Sequence, residues 1–382
     1  CGVERCLFGN GKELHFKKLM DFDTIGGKSN KNGARFDLDA MYVNWLGLSL
    51  KCYLPKSENS LSYVWESLKG KISYCNIKRL MFSSGWRYYA EIVVSGAAPT
   101  RVSIGTSTMG IDPGVSTIAG VSEDACVLEE LAPNAIQYEK KIQKISQSMD
   151  RSRRISNPNK YNEDGTINRS NRDPWKYSKN YVKMCRLLKS LYRKKHAYIV
   201  DSHRELCNKL LSIARYFPVE KMHFQALQKK AKETRRQEKK TEVKQKDGTV
   251  KVIQKYKRKK RFGRSINRRA PARFLLELKR KAEAVGGVYA EVDTKEFKAS
   301  QYNHVTDTYE KIPLSQREKE IGKRKVQRDL YSAFLIRNAD LDFKHPDREK
   351  CEYEFEYFAN LQDQLILKMK ESGLSMRQCF GF

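Results

Sequence analysis

Three carboxylates of this chain stand beside runs of apolar residues in an otherwise strongly basic sequence. Asp112 lies in MGIDPGVSTIAG, between an apolar strand end and a Pro-Gly turn. Glu220 stands just inside the apolar run of ARYFPVEKMHF, and Asp329 lies beside the apolar side of RKVQRDLYSAFLIRNAD. Taken singly, each is a cap, a solvated loop residue or half of an ion pair. Taken as a set, they suit a divalent cation. Mg²⁺ takes oxygen ligands and keeps several waters, so two or three carboxylates suffice. Two such ions can activate a water and stabilise the leaving oxygen of a phosphodiester in in-line attack. Buried carboxylates in turn need a counter-charge, because desolvating an ionised carboxylate is costly. None of the three is singled out as a general base, since a metal ion can activate the water.

The flanking segments must bring these residues together. MGID and STIAGV read as two apolar strands around the Asp112-Pro113-Gly114 turn. Residues 214 to 224 read as a buried strand that Pro218 precedes. Residues 270 to 293 read as a helix and then a strand, Pro271 suiting the helix start and Gly286-Gly287 its end. Residues 324 to 340 read as an amphipathic helix with Leu330, Ala333, Phe334 and Ile336 on its apolar side, and the last 40 residues as polar helix. Residues 135 to 211 read as largely helical, interrupted near NPNKYNEDGTINRSNRDPW. In the second part, Val182, Leu188, Leu191, Tyr192, Ile199, Leu206 and Leu210 recur at roughly helical spacing. Lys183, Arg186, Lys189, Arg193, Lys194 and Lys195 lie between them and make the other face basic. Residues 1 to about 105 alternate aromatic and β-branched residues, with Ser84-Gly85 as a turn, and predict a small antiparallel sheet or barrel.

The 382 residues leave room for two or three domains, and 40% hydrophobic residues suffice for a core. The net charge of +30, from 75 Lys and Arg against 45 Asp and Glu, speaks about partners rather than fold. Nucleic acid is the first candidate and an anionic membrane the second. No apolar run approaches the roughly 20 residues of a membrane span, and no signal-peptide pattern opens the chain. No membrane partner is therefore expected, and the expected location is cytoplasmic, beside the nucleoid. Nine scattered cysteines without a CxxC pair predict reduced thiols rather than a disulfide framework or a thiolate zinc site. Residues 229 to 269 hold 19 Lys and Arg against 4 Asp and Glu, a net +15 and half of the total. Such a segment is expected to be mobile without a polyanion. The candidate nucleic-acid contacts are Lys257, Arg258, Lys259, Lys260, Arg261 and Arg264 there, Arg186, Arg193 and Lys194 on the basic helix, and Gln301 and Arg328.

GIDPGVSTIA resembles the first motif of RuvC-type, RNase H-like nucleases. VEKMHFQALQKKAK resembles the second, whose glutamate falls on Glu220, and VQRDLYSAFLI the third, whose aspartate falls on Asp329. The order of the three, with WESLKGKISYCNIKR, NPNKYNEDGTI, RFGRSI and FKASQYNHVTDTYEKIPLSQR, resembles the OrfB/TnpB proteins of insertion sequences. Those are transposon-encoded relatives of type V CRISPR effectors, and the resemblance covers nearly all of the chain. It implies an RNA-guided DNA endonuclease that cleaves at a RuvC site with Mg²⁺ or Mn²⁺, with Asp112, Glu220 and Asp329 as catalytic metal ligands. The implied partners are a guide RNA and double- and single-stranded target DNA. In such effectors base pairing reads sequence, while the protein reads backbone shape and a short adjacent motif.

The implied fold is α+β and multidomain. An N-terminal antiparallel, wedge-like β-barrel would occupy residues 1–105. A RuvC-like α/β domain would follow at 106–300, with a helical insertion at about 135–211 and the basic segment 229–269. Residues 301–325 would form a target-strand loading insertion, and 326–382 the third motif and C-terminal helices. Two departures matter. Many relatives carry two CxxC pairs before the third motif, but no cysteine lies between Phe297 and Arg328 here. No structural zinc is expected, and His304 is expected to be a structural or nucleic-acid-contacting residue. The helical recognition lobe usual before the sheet is also expected to be missing from this chain. Two other readings compete. One is an RNA-guided DNA-binding protein without cleavage, which the three carboxylates disfavour. The other is an unguided structure-specific nuclease, which would carry no RNA.

Overall fold

A computed structural model describes residues 6–7, 22–99, 102–228, 236–244, 250–256, 262–313 and 315–374. It divides into two units, residues 1–99 with 138–196, and residues 100–137 with 197–382. No helix among the described residues is long and apolar enough to cross a membrane.

In the first unit, β1 (Thr24–Gly26), β5 (Ile72–Phe82) and β6 (Gly85–Val94) form one antiparallel sheet. β2 (Arg35–Asp37), β3 (Tyr42–Trp45) and β4 (Leu48–Lys51) form another. Where a barrel is expected, the described strands make two three-stranded sheets. Alternation in sequence specifies strands, whereas closure depends on which edges pair. The unit also holds α1 (Glu58–Leu68), in a region that reads as strand-rich. Its Val64 and Leu68, one turn apart, pack with Ala34, Phe36, Val43 and Cys75.

Helix α2 (Ala135–Ser156) and helix α3 (Lys179–Ile213) belong in part to this unit. The polar segment between them is held by side chains. The Asn157 amide donates to the carbonyls of Arg153 at 2.9 Å and Lys176 at 2.7 Å, and its oxygen accepts from the Lys176 amide at 2.7 Å. Lys160 is buried and donates to the Asn171 carbonyl at 2.8 Å. On α3, Leu191, Ile199, Leu206 and Leu210 are buried as their spacing predicts, but Val182 and Tyr192 are exposed.

The second unit is built on a sheet of β10 (Cys126–Glu130), β9 (Thr117–Val121), β8 (Gly110–Pro113), β11 (Ala214–Glu220) and β14 (Val288–Val292), in that order. β10, β9 and β8 are antiparallel, and β8, β11 and β14 are parallel. The short strand β7 (Ser107–Thr108) pairs with β11. Pro218 lies inside β11, opposite Ala290, rather than ahead of it. One face of the sheet packs Ile111, Ile118, Phe217 and Val219 against Leu210 of α3 and Phe274 and Leu278 of a later helix (Pro271–Ala284). The other packs Ala119, Val121 and Leu128 against two C-terminal helices, Arg328–Arg337 and Arg348–Glu371.

The remaining elements complete the order. α4 (Phe224–Gln228) follows β11, and α5 (Gly263–Arg269) precedes α6 (Pro271–Ala284). α7 (Thr294–Phe297) precedes the hairpins β15 (Tyr302–Asn303) with β16 (Thr308–Tyr309), and β17 (Glu318–Ile321) with β18 (Arg324–Gln327). The C-terminal pair are α8 (Arg328–Arg337) and α9 (Arg348–Glu371). In the basic segment, β12 (Arg236–Lys244) and β13 (Val250–Tyr256) pair as an antiparallel hairpin. EKKTEVK and VKVIQKY mix β-branched residues with the lysines, which gives them strand propensity despite their charge.

α8 departs from the amphipathic reading. Leu330, Tyr331, Ala333, Phe334, Leu335 and Ile336 are all fully buried. A helix enclosed on all sides belongs to a core. It is enclosed because α9 covers the side the sheet leaves open, with Phe334 stacked on Phe358 at 4.6 Å.

Candidate active site

The neighbouring parallel strands β8 and β11 place Ile111 opposite Val219, both fully buried on one face. Side chains alternate along a strand, so the next residues, Asp112 and Glu220, share the other face. Asp112 pairs across β9 with Ala119, which packs in the cluster containing α8. The two carboxylates therefore face α8, whose first turn carries Asp329.

Gly110 sets how closely that helix approaches. A Cβ at Gly110 would lie 2.2 Å from the Ala333 carbonyl oxygen and 2.4 Å from the Arg337 amide nitrogen. The helix backbone thus rests directly on the strand. From Gly110 to Asp112 is two strand residues, about 6.6 Å. From Ala333 back to Asp329 is four helical residues, about 6 Å. The matching steps bring Asp329 level with Asp112. The helix start is fixed by Gln327, whose side-chain oxygen accepts from the Leu330 amide at 2.7 Å. The backbone amide of Gln327 in turn donates to Gln362 of α9 at 2.7 Å.

Electrostatics follow from the convergence. Burial first, then the charges of Glu220 and Asp329, hold Asp112 well above the usual carboxylate range, while Arg328 pulls the other way. Burial also raises Glu220, with Asp329 adding to the rise and the hydrogen bond with Asp112 opposing it. Asp112 and Glu220 are hydrogen-bonded to each other, and burial with the neighbouring charges favours the neutral form of both. Asp329 is satisfied differently. Arg328, itself buried, donates to its Oδ1 at 3.1 Å, and Arg317 donates to its Oδ2 at 3.2 Å.

These residues form an all-oxygen donor set, and a divalent cation would offset the carboxylate charge that burial disfavours. The fit is one of chemistry rather than of finished geometry. Among the described residues no three His, Cys, Asp or Glu side chains stand ready as metal ligands, and Asp329 faces two guanidiniums.

The other residues singled out in sequence are dispersed. Arg264 is exposed on α5 in the second unit, and Gln301 is half-buried just before β15. Arg186 and Lys194 are exposed and Arg193 half-buried, all in the first unit. Arg328 reaches the site but is committed to Asp329 and to the Gln316 carbonyl, at 3.3 Å. Lys257, Arg258, Lys259, Lys260 and Arg261 lie outside the described residues. Sequence reasoning missed Arg317, Gln327 and Gly110. Only Gly110 left a signal, since a lone glycine in an apolar strand marks a close backbone approach. Ser265 of α5 was missed as well; its hydroxyl donates to the Val115 carbonyl at 3.3 Å, in the turn after Asp112.

His304 is a structural residue here. It is buried against Phe355, with ring centroids 4.7 Å apart, and its Nδ1 lies 2.8 Å from the Tyr331 hydroxyl. The His304 amide donates to that hydroxyl at 3.2 Å, so the hydroxyl proton goes to Nδ1. Burial pushes the imidazole down to about 4. His203, on the other side of the sheet, is buried and pushed down to about 4 as well. Both remain neutral in the fold below the ordinary histidine range, whereas the unfolded chain takes up protons there. Their contribution is fully present above about pH 6.5 and is lost as pH falls toward about 4. At pH 5 the expected loss is about 2 kcal/mol for each. His304→Phe should therefore remove about half of the difference in stability between pH 7.5 and 5, read from urea unfolding. An undiminished difference would show that this histidine is not held neutral.

No protein-family model matches the chain, and no curated protein matches it. Among solved structures, it is similar to the cryo-EM structure of a Cas12f1–sgRNA–target DNA complex, at 12% identity and a TM-score of 0.43. The match covers 74% of this chain and 48% of that one, so this chain spans about half its length. At that distance the likeness says nothing about this chain's chemistry.

Proposed function

We propose that this chain is a divalent-metal-dependent endonuclease that cuts DNA phosphodiesters under the direction of a guide RNA. What supports the reading is that Asp112 and Glu220 share a buried sheet face and both feel the charge of Asp329, the three lying more than a hundred residues apart in sequence. Three mutually repelling carboxyls in a protein of net charge +30 are poor structural choices. They are good cation ligands. Asp112, Glu220 and Asp329 would hold Mg²⁺ or Mn²⁺, which would supply the Lewis acidity that phosphodiester hydrolysis requires. The chain's own groups do the positioning. Arg328 and Gln327 hold Asp329 and the start of its helix, while Arg317, half-exposed beside Asp329, faces solvent. The guide RNA, the DNA substrate and an origin in an insertion sequence are supported by the motifs GIDPGVSTIA, VEKMHFQALQKKAK and VQRDLYSAFLI and by the charge.

The test is to express the protein with its flanking genomic DNA, purify it and sequence the bound RNA. A discrete RNA, and Mg²⁺-dependent cutting of matching DNA that RNase treatment abolishes, is the expected result. Cutting that survives RNase treatment would mean an unguided nuclease. Binding to DNA or RNA should also be steeply salt-dependent. With six or more phosphate contacts, affinity falls about 10³-fold or more between 50 and 200 mM salt. Filter binding across that range checks this, and nearly flat affinity would refute the polyanion partner.

A further inference from the structure

We propose that the outer end of the β5–β6 hairpin, in the first unit, is a binding site for single-stranded nucleic acid. Two aromatic residues there each carry two cations. The Arg79 guanidinium lies 4.4 Å from the Trp86 ring centroid, and the Lys189 ammonium 4.6 Å. The Arg193 guanidinium lies 3.8 Å from the Phe82 centroid, and that of Arg87 4.5 Å.

The two pairs differ in one respect. Arg79 and Lys189 share Asp23, at 3.2 and 3.4 Å, so their charge is partly offset within the protein. No carboxylate pairs with Arg87 or Arg193 among the described residues. Arg193 is nevertheless held in place, since its Nε donates to the Met81 carbonyl at 3.1 Å. A guanidinium lying on an aromatic ring keeps its edge donors free and loses little entropy on meeting a phosphate. Arg87 and Arg193 are thus a fixed pair of cations lacking an anion.

Beside them is a surface for a base. Opposite residues of an antiparallel pair share a face and successive residues alternate. With Leu80 opposite Arg87 and Lys78 opposite Tyr89, the residues Phe82, Arg87 and Tyr89 lie on one face. Phe82 and Tyr89 are stacked at 6.4 Å and 26°. Tyr89 is 42% exposed, so it has room for a further ring. Bases of a single strand stack on such rings with little regard to sequence. Duplex bases are already stacked on each other and cannot. Paired phosphate donors beside an open aromatic face therefore select a single strand. The site is independent of the three carboxylates and stands or falls without the nuclease reading.

The test is fluorescence anisotropy with the intact chain in EDTA. The probes are a labelled 20-nucleotide oligouridylate, a labelled 20-nucleotide oligothymidylate and a labelled 20-base-pair duplex. Arg87→Gln with Arg193→Gln should lower single-strand affinity about tenfold or more and flatten its salt slope by about 1.4, for two phosphate contacts. Duplex affinity should fall less than threefold. Tyr89→Ala should cost about fivefold or more on single strands and Tyr89→Phe almost nothing. Preference for one single-stranded probe assigns the site to RNA or to DNA. Unchanged single-strand affinity, or an equal loss on the duplex, overturns the proposal. If the double Gln variant does not fold, Tyr89→Ala against Tyr89→Phe decides it alone.

Discussion

Asp112→Asn should lower Mg²⁺-dependent DNA cleavage by about 10³-fold or more while changing nucleic-acid affinity less than twofold. The size follows from removing one charged group aimed at the reacting centre of a desolvated site, typically 10²–10³ for a single donor and more when a metal ligand is lost. Asparagine keeps the shape and one carbonyl oxygen, so packing against Ala119 and the helix behind it is retained. Binding should persist because affinity for nucleic acid comes from backbone contacts spread over the basic surface. A second readout separates chemistry from folding. Burial and the charges of Glu220 and Asp329 disfavour an ionised Asp112, so a neutral amide there should not lower the thermal midpoint in EDTA. A variant that folds, binds and still cuts at the original rate would remove Asp112 from the mechanism. One that fails to fold would show that the carboxyl is structural.

Gly110→Ala should destabilise the second unit by roughly 3 kcal/mol or more, and cleavage should fall with it. The new methyl would meet two backbone atoms of α8, at 2.2 and 2.4 Å. Backbone in a helix buried on all sides cannot step aside without opening the core, and forcing extra volume into a packed core costs about 1–3 kcal/mol even where side chains can move. Gly120→Ala is the control. Its methyl would meet the Met109 sulfur at 3.0 Å and the Ile111 Cδ1 at 3.1 Å, both ends of side chains that can shift. That variant should lose less than about 1.5 kcal/mol. Urea unfolding of both variants checks the pair, and equal losses would show that helix and strand are not in rigid contact at Gly110.

The elements around the carboxylates were legible because their patterns are local. Strands β8, β9 and β11, the helix starting at Pro271 and the strand after Gly286-Gly287 stand where apolar runs and turn residues put them. The start of α8 was misplaced because Arg324–Gln327 pairs with Glu318–Ile321 as a hairpin instead. That pairing depends on a partner strand that helical periodicity does not see. α1 was overlooked among strands for a similar reason. Its apolar residues gain from the sheet core of Ala34, Phe36 and Cys75, which is assembled from distant segments.

Residue types and motif order alone nominated Asp112, Glu220 and Asp329, since carboxylates flush with apolar runs in a basic chain are costly unless something compensates them. Their state could not be read that way. The coupling of Asp112 and Glu220 arises because parallel pairing of Ile111 with Val219 turns both carboxyls to one face. Of the arginines on Asp329, Arg328 is its chain neighbour, whereas Arg317 lies in a loop that the β17–β18 hairpin brings near. Side-chain chemistry is written residue by residue. Distance, burial and charge coupling are properties of pairs, and they exist only once strand register and the contact at Gly110 have set where α8 lies.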